Sequence, residues 1–294
     1  MTSLKGFLDD GLKALGPLYP ADEARNILMT LCESKLGVAR HAYLTDPDFP
    51  VDESTGVFDD LERLSRGEPI QYVLGYAEFR GRRFKVTPDV LIPRPETELL
   101  CEEAIRISGR SDYSGKGEAG VRVLDLCTGS GCVAWTMALD VKGAETYGID
   151  ISPGALDVAR GQDFQEEINA SSARRPVFLE YDIFSEKIPF DPGSFDLILS
   201  NPPYILESQK KDMRPNVLDF EPPLALFVPD GDPLVFYRAV ARWSKRLLSP
   251  EGTGIVEINE DLGPETSAVF LEAGFSEAVI IKDYFGKNRF VIYS

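Results

Sequence analysis

Asn201-Pro202-Pro203-Tyr204 sets one side-chain amide, a stiff backbone and one aromatic ring side by side. Before it runs Phe195-Asp196-Leu197-Ile198-Leu199-Ser200, whose apolar centre reads as a buried strand. Two prolines cannot continue a strand ladder, and each holds the residue before it extended. Such a rigid strand end can hold a planar NH2 group. Asn201 Oδ1 and the Pro202 carbonyl would accept its two hydrogens, with Tyr204 packing on its face. A plain strand ending at a proline turn would use the same four residues, so context has to decide.

The context first removes chemistry. His41 is the only histidine, which leaves little room for Ser-His-Asp, Cys-His or His-metal catalysis. Cys32, Cys101, Cys127 and Cys132 are scattered, with no Cys-x-x-Cys pair, so small buried thiols in a reducing cytoplasm are expected and no metal site. The net charge is -17, and most of it falls in residues 89–294. A broad phosphate-binding surface needs the opposite sign, so no direct nucleic-acid partner is expected. No apolar run approaches the ~20 residues that span a bilayer. Met1-Thr2-Ser3-Leu4-Lys5-Gly6 has no basic start leading into an apolar core, so neither signal peptide nor membrane partner is expected.

Context also adds chemistry. Val121–Leu126 reads as a strand, Cys127-Thr128-Gly129-Ser130-Gly131 as a tight turn, and the residues through Val133, Trp135, Met137 and Leu139 as a helix. Open α/β sheets bind ligands at such strand ends, and glycines let a ligand approach the backbone. Asp150 ends the next strand about 20 residues on, where a carboxylate can take both hydroxyls of a ribose. Gly129-x-Gly131-x-x-Ala134 also satisfies the dinucleotide fingerprint, so the glycines alone are a weak signal. Asp125 before the turn and Asp182 at the end of the third strand favour S-adenosylmethionine over NAD. The first can meet the amino-acid end and the second the adenine amino group. An acidic pocket suits a sulfonium cation and repels a pyrophosphate.

These groups need a scaffold. Residues 1–75 show helical periodicity: Leu4, Phe7, Leu8, Leu12 and Leu15, then a helix that Asp22 can cap, then Val57, Phe58, Leu61 and Leu64. A small all-α bundle fits, serving as packing module or docking surface. Residues 76–88 alternate around Gly81 and predict a β-hairpin linker whose Arg80–Lys85 cluster reads as a solvated face. Residues 89–294 form the third region. It opens with a helix from Glu96 and a polar loop from Ser108 to Gly120, and then strands and helices alternate. Strands are expected at Val121–Leu126, Thr146–Asp150, Val177–Asp182, Phe195–Ser200, Gly254–Ile258, Glu277–Ile281 and Arg289–Tyr293. This pattern predicts an α/β fold with a doubly wound, mostly parallel seven-stranded sheet closed by a hairpin.

The chain resembles the HemK/PrmC family of bacterial protein-(glutamine N5) methyltransferases, which modify peptide chain release factors. The resemblance rests on Gly67-Glu68-Pro69-Ile70-Gln71-Tyr72, Ile92-Pro93-Arg94-Pro95-Glu96-Thr97-Glu98, Asp125–Gly131, Asn201–Tyr204 and Glu221-Pro222-Pro223-Leu224-Ala225-Leu226, and covers essentially the whole chain. Asn-Pro-Pro-Tyr alone is shared with DNA adenine and some RNA guanine methyltransferases. The resemblance implies a class I methyltransferase sheet, with S-adenosylmethionine as cofactor and S-adenosylhomocysteine as product. The implied cofactor contacts are Arg94, Cys127, Thr128, Gly129, Ser130, Gly131, Asp150, Asp182, Ile183 and Asn201. The implied substrate contacts are Asn201, Pro202, Pro203 and Tyr204, with Asn201, Pro202 and Tyr204 catalytic. The implied partner is a class 1 release factor, methylated on the glutamine of its Gly-Gly-Gln loop and docked by the bundle. Two positions depart from the family. Cys127 stands where glycine is usual, and Ile183 where relatives often place an aromatic ring. The rival readings are a ribosomal-protein glutamine methyltransferase, an exocyclic-amine nucleic-acid methyltransferase that flips its base, and a non-catalytic binding module.

Overall fold

The computed structural model describes residues 2–109, 120–171 and 173–294. The chain divides into two compact units, Met1–Tyr76 with Arg214–Phe220, and Ala77–Met213 with Glu221–Ser294. Residues 110–119 of the loop expected from Ser108 to Gly120 lie outside the described residues.

The first unit is helical. Its longer helices are α1 (Leu4–Leu15), α2 (Ala21–Leu36) and α3 (Val57–Ser65). Ser3 caps α1 by accepting from the Gly6 N–H at 3.2 Å. Asp22 does not cap α2: Pro20 holds that position, and Asp22 sits in the first turn, where its charge meets the positive end of the helix dipole. Leu4, Phe7, Leu28, Leu31 and Val57 are buried together, with Phe7 edge-on to Phe58 at 5.3 Å. The segment Arg214–Phe220 carries no apolar periodicity that would reveal its membership of this unit from sequence.

The second unit opens at Ala77, in the hairpin of Tyr76–Phe79 and Arg82–Lys85. Arg83 and Lys85 stay exposed, as a solvated face requires, whereas Arg80 and Arg82 are held within the unit. Arg82 donates to Asp140 at 2.8 Å and Glu167 at 2.7 Å, and Arg80 lies 3.5 Å from Asp140. The main sheet has seven strands: β1 (Arg122–Leu126), β2 (Glu145–Asp150), β3 (Val177–Glu180), β4 (Phe195–Ser200), β5 (Leu248–Glu257), β6 (Ala278–Lys282) and β7 (Asn288–Tyr293). Their order is β6-β7-β5-β4-β1-β2-β3, with β7 alone running opposite to the other six. The reversal of winding between β4 and β1 is where such sheets bind ligands.

Each strand between β5 and β2 is covered on both faces. All six residues of β4 are buried, which is why it reads as a continuous apolar run and not as an alternation. Leu197 and Leu199 pack with Val123, Trp135 and Phe178; Ile198 packs with Leu124, Tyr237 and Trp243. Helices α4 (Pro95–Ser108), α5 (Cys132–Asp140), α6 (Pro153–Arg160), α7 (Val235–Leu247) and α8 (Gly263–Glu272) supply these layers. In α5 every residue from Cys132 to Ala138 is buried, as expected for a helix that is apolar all round.

Two strand ends differ from the sequence expectation by more than one residue. Asp182 is not part of β3, which stops at Glu180; Asp182 Oδ1 instead accepts from the Phe184 N–H at 2.8 Å and turns the chain. β5 begins earlier than Gly254, at Leu248, and a register shift before Thr253 absorbs Pro250 and Gly252.

Candidate active site

The turn after β1 is held from three sides. Asp125 is 1% exposed, and its Oδ2 accepts from Thr128 Oγ1 at 2.5 Å and from the Ala134 N–H at 3.2 Å. It thus ties the strand to the start of α5. The Thr128 N–H donates to the Ile149 carbonyl at 2.9 Å, and the Gly129 N–H to Asp150 Oδ2 at 2.9 Å. Cys127 adopts φ 60, a left-handed conformation that a side chain normally resists. The chain therefore makes the turn with a left-handed cysteine, and the surrounding bonds hold it there. Gly129 has φ 53 and faces open space, whereas a Cβ on Gly131 would lie 3.0 Å from both Ala159 and Phe178. A side chain on the first glycine would meet nothing, and one on the second would meet the packing.

Over this turn lies a cavity of about 190 Å³. Cys127, Thr128, Gly129 and Ser130 line it, as do Asp150, Asp182, Ile183, Arg94, Asn201 and Pro203. Gly131, Pro202 and Tyr204 are not among its lining residues. Asp89, Asp125, Asp150 and Asp182 give it four carboxylates, and Arg94 is the one cation among the described lining residues. Arg94 is already engaged: its Nη2 donates to Glu221 Oε1 at 2.6 Å. Glu221 is buried and also accepts from the Ile92 N–H at 3.1 Å, so it clamps residues 92–94 along the cavity edge. Burial pushes the Asp125 carboxyl up to about 7, against the pull of its bonds from Thr128 and Ala134. Burial also raises the Asp150 carboxyl, with the Ser152 and Gly129 N–H groups acting the other way. Each Asp150 oxygen accepts one backbone hydrogen and keeps a lone pair for a hydroxyl.

Asn201 leaves the end of β4 beside Glu257, which ends β5; the two strands are in register at Ser200 and Val256. Asn201 Nδ2 donates to Thr97 Oγ1 at 3.0 Å, and Thr97 Oγ1 donates to Glu257 Oε2 at 2.7 Å. Tyr204 Oη donates to Glu257 Oε1 at 3.0 Å. The ring expected to face a substrate is thus anchored from below, and it packs against the core of Tyr237 and Trp243. Glu257 is 2% exposed, and burial pushes its carboxyl up to about 7 despite the Thr97 and Tyr204 bonds.

A family model described as a methyltransferase domain matches residues 123–217. A release factor glutamine methyltransferase of Bacteroides thetaiotaomicron is 39% identical over 279 residues, which are 94% of this chain and 95% of that one. The chain belongs to the release factor glutamine methyltransferase family. A relative of the same name from Flavobacterium psychrophilum is 32% identical over 98% of each chain. Among solved structures, the release factor-specific protein-(glutamine-N5) methyltransferase of Alicyclobacillus acidocaldarius is 29% identical over 71% of this chain and 98% of that one, with a TM-score of 0.40.

S-adenosylmethionine is the methyl donor of a release factor glutamine methyltransferase, and the residues here fit it. Four carboxylates suit a ligand carrying a sulfonium and an ammonium, and the one lining cation is spent on Glu221. Three residues of this family member escape a sequence reading. Thr97 and Glu221 sit inside recognisable blocks but carry no chemical signal of their own. Glu257 is a lone carboxylate at a buried strand end, and that is the signal that could have found it.

Proposed function

We propose that this chain transfers the methyl group of S-adenosylmethionine to the side-chain amide nitrogen, N5, of the glutamine in the Gly-Gly-Gln loop of class 1 release factors. The observation that carries the reading is the Asn201 amide. One hydrogen of its NH2 goes to Thr97, and Asn201 lines the cavity, so in this reading Oδ1 serves there as the acceptor.

When bound, S-adenosylmethionine supplies an electrophilic methyl on a sulfonium. A glutamine amide nitrogen is a weak nucleophile because its lone pair is delocalised into the carbonyl. Asn201 Oδ1 and the Pro202 carbonyl accept its two hydrogens and so fix the plane of the NH2 group. That leaves the face of the nitrogen open for in-line attack, which is catalysis by proximity and orientation. As positive charge grows on nitrogen, both acceptors stabilise it. The new N–C bond forms as the S–C bond breaks and S-adenosylhomocysteine leaves; the cationic nitrogen is then acidic enough to give its proton to solvent, so no histidine is required. In this reading Arg94 belongs to the cofactor side through its place on the cavity edge. Pro203 stiffens the strand end, and Tyr204 supports it from beneath. The helical unit, residues 1–75, docks the release factor. The setting is the cytoplasm, in keeping with four free cysteines.

The test is labelled-methyl transfer from S-adenosylmethionine to a purified release factor, beside the same factor with its Gly-Gly-Gln glutamine changed to alanine. Label on the first alone is expected. Label on neither, with transfer to a ribosomal protein or to nucleic acid, overturns the substrate.

A further inference from the structure

We infer that Thr97 and Glu257 are positioning residues that set which way round the Asn201 amide faces, and hence whether the site accepts or repels an NH2 group. The inference deepens the glutamine reading and rests on it.

An asparagine amide has nearly the same shape either way round, so its polarity must be imposed by partners. Here the imposition starts at a carboxylate. Ionised Glu257 can only accept, so both neighbouring hydroxyls must point their hydrogens at it. Tyr204 does so on Oε1 and Thr97 on Oε2. With its single hydrogen spent, Thr97 Oγ1 can only accept from the atom 3.0 Å away, and that atom must be Asn201 Nδ2. A turned-over amide would set its oxygen against Thr97 Oγ1 with no hydrogen between them. The order of donors thus runs one way, from Asn201 through Thr97 to Glu257, and Oδ1 is left for the incoming amide.

The inner end of this chain of bonds is buried and well backed. Thr97 and Glu257 are each 2% exposed. Tyr204 is held in turn by Asn259, whose Nδ2 donates to the Tyr204 carbonyl at 3.1 Å and whose N–H donates to Tyr237 Oη at 3.0 Å. The groups come from the first turn of α4, the end of β4 and the end of β5, so no local rearrangement can satisfy them differently.

The experiment compares the full-length protein with Thr97→Val, which keeps the shape and removes the hydroxyl, and with Thr97→Ser, which restores it. Turnover on the release factor should fall about 100-fold in Thr97→Val, the scale of a misdirected reacting group. Cofactor Kd should stay within about twofold, and Thr97→Ser should recover to within about threefold of wild type. Wild-type turnover in Thr97→Val, equal loss of turnover and cofactor binding, or a Thr97→Ser as poor as Thr97→Val overturns the inference. A second readout needs no substrate and no Thr97 variant. In protein labelled with 15N at asparagine, assigned by the signal lost in Asn201→Ala, one Asn201 Nδ2 hydrogen of the wild type should be protected from exchange. Fast exchange of both overturns the inference. If wild type methylates no release factor, the glutamine reading falls, and this exchange measurement still decides the relay.

Discussion

Asn201 and Glu257 predict opposite kinds of behaviour. Asn201→Ala should lower turnover about 100-fold with cofactor affinity unchanged, measured by steady-state transfer and by calorimetry; equal losses would move Asn201 to the cofactor side. Glu257 brings in pH. Its carboxyl is pushed up to about 7 by burial, with Glu96 adding to the push and the Thr97 and Tyr204 bonds and Arg289 opposing it. Above that pH it accepts from both hydroxyls; below it, the added proton occupies one of the two acceptor positions. Turnover at saturating cofactor should therefore fall as pH drops through about 7. Asp125, also near 7, should act on cofactor KM instead, and a profile of kcat and KM separately distinguishes them. Stability runs the other way. The unfolded chain ionises Glu257 near its ordinary 4.5, so its contribution is full below that pH and is lost as pH rises to about 7. Asn201 was legible in sequence because its partners in the motif are adjacent. Thr97 was not, because it meets Asn201 across 104 residues and Glu257 across 160.

At the scale of elements, the turn after β1 separates binding from packing. Gly129→Ala places a methyl in open space at positive φ, where a ligand would lie. It should weaken cofactor binding at least about tenfold while costing about 1 kcal/mol of stability. Gly131→Ala drives a methyl into Ala159 and Phe178 and adds the same backbone strain. It should cost about 2–4 kcal/mol, seen as a lowered Tm. Equal effects of the two substitutions on melting and on binding would contradict this division. Local pattern carried the elements themselves. β4 runs from Phe195 to Ser200 as its apolar run and proline stop require. The errors fell where side chains or bulges overrule periodicity: Asp182 turning the chain after β3, and Pro250 and Gly252 disturbing the start of β5.

For the whole molecule, charge decides which partners are favoured. A net charge of -17 sits beside a hairpin in which Arg80 and Arg82 are taken up by Asp140 and Glu167. Duplex DNA at physiological salt should therefore not compete with a release factor in the transfer assay; strong competition would restore a nucleic-acid substrate. Arg82→Ala should lower Tm and leave the KM for the release factor unchanged, because the charge serves the fold. Composition could supply the sum of charges but not this local neutralisation, which depends on residues 58 and 85 positions away from Arg82.

The register of β4 against β5 has one further consequence. Ser200 lies opposite Val256, and this alignment brings Asn201 and Glu257 out of the sheet together. A slip of one residue would turn Glu257 to the other face while keeping every strand, every helix and nearly all of the secondary structure. A refolded sample could then match the native far-ultraviolet spectrum and still methylate nothing. Methyl transfer is in this sense an assay of strand alignment, reporting an error of a single residue to which spectroscopy of the backbone is blind.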